Sequence, residues 1–164
     1  MHAAVFGLYM GLFWMLKYLC MIFGNKIELL TSLYVGLTVI VPFIAYRLTL
    51  LYRTQIDSES FSFFHGWQFG VFLYTFAALV VSLFHFYYYK NILGLEGISE
   101  LMQQSFSLLS SRVDTQMLEQ AKQAGTPSPF QMTMQGILNN ILAGAVFSIP
   151  VALLTRKQNT EPNT

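Results

Sequence analysis

The chain has 164 residues, nine Lys or Arg against eight Asp or Glu, and a net charge of +1. Only 10% of its residues are charged, against roughly 25% in a soluble domain, while 54% are hydrophobic and 16% aromatic. That balance argues against a nucleic-acid-binding protein, which needs a basic stripe, and the single Cys20 excludes an internal disulfide.

The first apolar run is Ala3–Phe23, and three more follow at Leu29–Leu51, Phe64–Tyr89 and Met132–Leu154. None contains an Asp or Glu. A helix crossing a hydrocarbon core of roughly 30 Å needs about twenty mostly apolar residues, so each run is long enough. A carboxylate in mid-helix would cost several kcal/mol, and its exclusion from all four is what lipid as a solvent selects. The expected fold is therefore an all-α membrane protein with four transmembrane helices. Residues 1–155 are expected to form a single four-span membrane domain with spans at about 3–23, 29–51, 64–89 and 132–154, and residues 156–164 a polar C-terminal tail. The first run lacks a preceding Lys or Arg, exceeds a normal signal core and has no small-x-small cleavage site after it. Lys17, Tyr18 and Leu19 before Cys20 likewise do not read as a lipoprotein signal. The run is expected to remain in the mature protein.

The connection Gly24–Glu28 is so short that the first two helices must form an antiparallel hairpin. Tyr52–Phe63, with Arg53, Asp57, Ser58, Glu59 and Ser60, reads as a solvated loop. The third connection, Lys90–Gln131, is longer and carries Ile98, Met102, Phe106, Leu109, Val113 and Met117 at spacings of three and four, one face of a helix. This amphipathic helical linker, about 96–124, divides into a helix over Ile98–Leu109 and a second over Arg112–Ala124, because Ser111 and Asp114 resemble a capping box. Gly125, Pro127 and Pro129 end it. With few basic residues on its stripe, the linker is expected to cap the bundle rather than bind charged lipid. Placing both termini in the cytoplasm puts Arg47, Arg53, Arg156 and Lys157 inside, and Lys26, Lys90 and Lys122 outside.

No metal, nucleophile, P-loop or dinucleotide signature occurs, and His2, His65 and His85 are too scattered in sequence to nominate a metal site. No cofactor and no enzyme activity are expected. Lys17 lies six residues before Phe23, about 9 Å by helix rise, within snorkelling range of the headgroups. Lys17, His85, Asn139 and Asn140, together with Ser32, Tyr34 and Thr38, fall at one depth on the four spans. The favoured reading of this layer is an interhelical hydrogen-bond layer. Its alternative is a donor-rich pocket without an acidic counter-ion, suited to a carbonyl, phosphate or carboxylate of a lipid or small ligand. Small residues recur every fourth position, at Gly7 and Gly11, at Gly66 and Gly70, and at Gly136, Gly144 and Ser148. Packing inside one bundle is favoured over dimerisation as their role. Pro42 and Pro150 each permit a kink.

The stretches FGVFLYTFAALVVSLFHFYYY, LMQQSFSLLSSRVDTQMLEQAKQ, PSPFQMTMQGIL and ILAGAVFSIPVALLTRK resemble a family of small four-span inner-membrane proteins of unknown function common in Bacteroidota. This chain departs from the family's Asp-Pro or Asn-Pro after the third span, having Asn91, Ile92, Leu93 and Gly94 there. The resemblance implies an inner-membrane location and four spans, and it transfers no site. The expected role is a non-enzymatic accessory or scaffold protein of the cell envelope. Its partners would be membrane lipids, another membrane or envelope protein, or further copies of itself, and not nucleic acid. The alternative is a small permease or lipid- or ligand-binding membrane protein that uses the polar layer.

Overall fold

A computed structural model describes residues 2–24, 27–56, 61–109, 116, 119–120 and 125–156. It is all-helical among the described residues: α1 His2–Gly24, α2 Glu28–Gln55, α3 Phe63–Tyr87, a π-helical turn Tyr88–Leu93, α4 Gly94–Leu109 and α5 Pro129–Thr155. Four helical runs are long and apolar enough to cross a membrane, at His2–Gly24, Glu28–Gln55, Phe63–Leu108 and Pro129–Thr155. By length and composition this is a multi-pass membrane protein.

The chain divides into two compact units, Met1–Val81 with Ile137–Thr164, and Ser82–Gly136. In the first, α3 is the central helix and small residues set its neighbours. A Cβ on Gly7 would collide with Phe76, and one on Gly11 would lie 2.6 Å from the Cβ of Val80, so α1 lies directly against α3. The opposite face of α3 meets α5, where Gly70 abuts Ser148 and Gly144 abuts Tyr74. In lipid, van der Waals contact drives helix association, and missing side chains let backbones approach. Gly7, Gly11, Gly70 and Gly144 thus pack against neighbouring helices of the same chain. Phe6, Met10 and Trp14 of α1, Val41 and Ala45 of α2, and Phe69, Leu73, Ala77 and Val81 of α3 form the core. The tight α1–α2 turn brings Gly24 within 2.6 Å of Thr31 Oγ1 for a built Cβ, which fits the antiparallel hairpin.

Two buried threonines satisfy their hydroxyls inside their own helices. Thr49 donates to the Ala45 carbonyl at 2.8 Å and Thr155 to that of Val151 at 2.9 Å, which makes threonine tolerable where water is absent. Arg53 donates from Nη1 to the Thr155 carbonyl at 2.7 Å, placing a guanidinium on the negative C-terminal end of α5. Pro42 and Pro150 sit within continuous helices and both line an apolar pocket of about 270 Å³ between α2 and α5.

In the second unit the helical backbone continues past Lys90. The helix continues through the π-helical turn, and the break falls at Gly94, whose φ of +68° only glycine adopts without strain. Charge at Lys90 marks the edge of the apolar run, whereas a helix needs only its backbone bonds to continue past it. The Gly94 N–H accordingly donates to the Tyr89 carbonyl, five residues back. The first linker helix stands as α4, with Ile98 fully buried and Met102 and Phe106 half-buried. The second, Arg112–Ala124, and its Ser111–Asp114 box lie almost wholly outside the described residues. α5 begins with a capping box of its own. The Ser128 N–H donates to Gln131 Oε1 at 2.8 Å, the Gln131 N–H returns to Ser128 Oγ at 3.2 Å, and Pro129 takes the first helical position.

Candidate functional site

Lys17 follows Phe6, Met10 and Trp14 on the buried stripe of α1, so helix periodicity turns it inward. It is 7% exposed. Its Nζ lies 5.0 Å from the ring centroid of Tyr18, 5.3 Å from that of Tyr34 and 5.7 Å from that of Trp14. The side chain therefore folds into a cage of three aromatic rings instead of lying free at the end of the span. Two of these rings come from α1 itself, and Tyr34 arrives through the hairpin on α2. No hydrogen bond or ion pair reaches the ammonium among the described residues, and the negative ring faces supply its compensation. Trp14 meets Tyr74 edge-on with centroids 5.7 Å apart. Trp14 Nε1 and Tyr74 Oη are both buried without a hydrogen-bond partner among the described residues.

Of the predicted layer, Tyr34 is the member that meets Lys17 among the described residues of the first unit. Asn139 is exposed and Asn140 half-buried on α5. On α2, Ser32 and Thr38 are exposed, and Thr38 bonds back to the Tyr34 carbonyl at 2.8 Å. His85 belongs to the second unit, where it is buried with its ring 6.0 Å from that of Tyr89. A Cβ on Gly136 would meet His85 Nδ1 at 3.7 Å, ordinary contact, so the imidazole sits directly over a glycine.

A second cluster, which sequence spacing does not reveal, lies at the opposite end of the first unit. His2 opens α1, Tyr52 lies near the end of α2, and His65 stands in the first turn of α3. The antiparallel order of α1 and α2 and the return of α3 bring all three to one end. Tyr52 Oη and His65 Nε2 are 2.8 Å apart, in a hydrogen bond. The Tyr52 ring stacks on Phe69 at 4.1 Å with an interplanar angle of 7°, and Phe61 stacks on His65 at 5.1 Å. Ser62 Oγ accepts the His65 N–H at 3.2 Å and so caps α3 and holds that imidazole's backbone. A pocket of about 220 Å³ is lined by His2, Tyr52, His65 and Gln68 together with Phe69 and Phe72. The signal for this cluster was topological: residues at the start of one span, the end of the next and the start of the third share a membrane face.

No curated protein and no solved structure is detectably similar to the chain. Residues 5–157, nearly all of it, match the family described as Protein of unknown function (DUF4199), and the chain belongs to that family.

Proposed function

We propose that this protein is a non-enzymatic accessory or scaffold protein of the inner membrane that acts by binding another envelope protein, with both termini in the cytoplasm. The observation that carries this reading is α4. Its polar side presents Glu96, Glu100, Gln103 and Gln104 to solvent, while Ile98, Met102 and Phe106 turn inward. Leu101 and Leu108, seven residues apart on one side, stay exposed, Leu108 at 75%. An amphipathic helix that keeps part of its apolar arc uncovered is a surface for a groove on a partner. The absence of Lys or Arg from α4 disfavours recruitment to anionic lipid instead. Deletion of residues 98–124 is expected to abolish co-purification of the partner while the four spans still insert. Equal partner recovery after the deletion refutes the reading.

A second reading, a small permease or a lipid- or ligand-binding protein, is favoured by the aromatic cage of Lys17. A buried cation with no acidic partner among the described residues, beside two buried groups that find no hydrogen-bond partner among them, suits a carbonyl, carboxylate or phosphate oxygen. Native mass spectrometry of gently extracted protein is then expected to show an adduct that Lys17→Gln loses. Wild-type protein without any adduct, or an adduct unchanged in the variant, removes this reading.

A further inference from the structure

We propose that the pocket formed by His2, Tyr52, His65 and Gln68 binds the head ring of a quinone-type lipid: flat, uncharged, bearing carbonyl or hydroxyl oxygens and carrying an apolar tail. This site is separate from α4 and from the cage of Lys17, and the inference rests on neither.

The polar groups of the pocket define the head. They are two imidazoles, a phenol and a primary amide, and no Lys, Arg, Asp or Glu joins them among the described residues. None of these groups is a fixed charge that would select a charged head, whereas a neutral carbonyl or hydroxyl is matched by such donors and acceptors. The 2.8 Å bond between Tyr52 and His65 leaves one proton to offer in either tautomer. When the phenol donates to Nε2, the imidazole proton is on Nδ1. When Nε2–H donates to the phenol oxygen, the phenolic hydrogen is free. Gln68 is exposed and brings an amide that can donate or accept, as a carbonyl and a hydroxyl respectively require.

The walls define the ring. Tyr52 and Phe69 already form a parallel stack at 4.1 Å, and Phe72, 55% exposed, adds a further aromatic side. Flat aromatic surfaces pair with a flat ring through offset stacking or edge contact. The tail has its own course. A wider opening of about 680 Å³ shares His2 with the pocket and is lined by Val5, Phe6, Tyr9 and Gln55. Val5 and Tyr9 are exposed along the first turns of α1, so an apolar chain leaving the head would lie on the lipid side of that helix. A polar head at the end of the spans with a tail directed along them is the arrangement of an amphiphile within one leaflet.

The test is a titration of the full-length protein in nanodiscs with decylubiquinone, read by quenching of Trp14 and Trp67. Wild-type protein should quench saturably, and Tyr52→Phe and Gln68→Leu should each weaken the apparent Kd at least tenfold. Tyr52→Phe keeps the stack on Phe69 and removes only the hydroxyl. Gln68 is outside the core, so its replacement leaves folding intact and keeps the test decisive if the tyrosine variant fails to fold. Quenching that rises linearly with quinone in the wild type is collisional and overturns the proposal. Identical saturation in wild type and in Gln68→Leu overturns it too. So does displacement of the quinone by dihexanoyl-phosphatidylglycerol at lower concentration than by decylubiquinol, which would assign the pocket to a phosphate head.

Discussion

Gly144→Leu is expected to destabilise the protein by about 3 kcal/mol relative to Gly36→Leu, although both place the same side chain in the middle of a span. Gly144 is buried, and even a Cβ there would run into the Cβ of Tyr74 and lie 2.6 Å from its Cγ. These atoms sit next to the α3 backbone, so no rotamer change can withdraw them. The helices must separate, and with them the contact of Gly70 with Ser148 a turn away along the same interface. Around Gly36 nothing lies within 4 Å, so an added leucine meets open space. There the substitution also removes the helix penalty of glycine, about 1 kcal/mol. Unfolding midpoints of the two variants in the same detergent check the contrast. Equal midpoints would mean that α3 and α5 are not held by this close approach.

Lys17→Met is expected to raise the unfolding midpoint, and Lys17→Glu to lower it sharply. A lysine at the centre of a membrane helix costs about 2.5–3.5 kcal/mol on insertion scales, an upper bound for Lys17 nearer the end of its span. Contact with ring faces returns about 0.5–2 kcal/mol, and no anion among the described residues adds to that. The difference predicts a gain of no more than about 3 kcal/mol when a methionine of similar length keeps the packing and drops the charge. A glutamate would set its negative charge against the electron-rich faces of Trp14, Tyr18 and Tyr34, so attraction turns into repulsion at full desolvation cost. Should Lys17→Met instead lose stability, the ammonium has a stronger partner than the rings. Gain of stability with loss of a bound adduct would place Lys17 among residues kept for binding at a cost to the fold.

Much of the fold was legible along the chain because lipid selects composition helix by helix. The four apolar runs appear as helices with their ends moved by a few residues, and the stripe Ile98–Met102–Phe106 became α4 because its spacing is a local property. The same solvent hides which face of a span points inward. Leu8, Leu12 and Leu16 of α1 are exposed while Phe6, Met10 and Trp14 are buried, and hydropathy does not separate the two sets. Glycine is the better guide, since Gly7, Gly11, Gly70 and Gly144 each sit where helices touch. The polar layer was legible as residues at one depth. Depth alone does not specify azimuth, and Asn139 turned outward while Lys17 turned into rings.

The sequence by itself therefore determined that this is a four-span, all-helical membrane protein with an amphipathic linker, because span length and the exclusion of carboxylates are properties of each segment alone. The tertiary structure decided what each buried polar group meets. Tyr34 reaches Lys17 only because α2 folds back on α1, and Tyr52 reaches His65 only because the end of α2 and the start of α3 share one face. Such contacts join residues distant in sequence, and no periodicity records them.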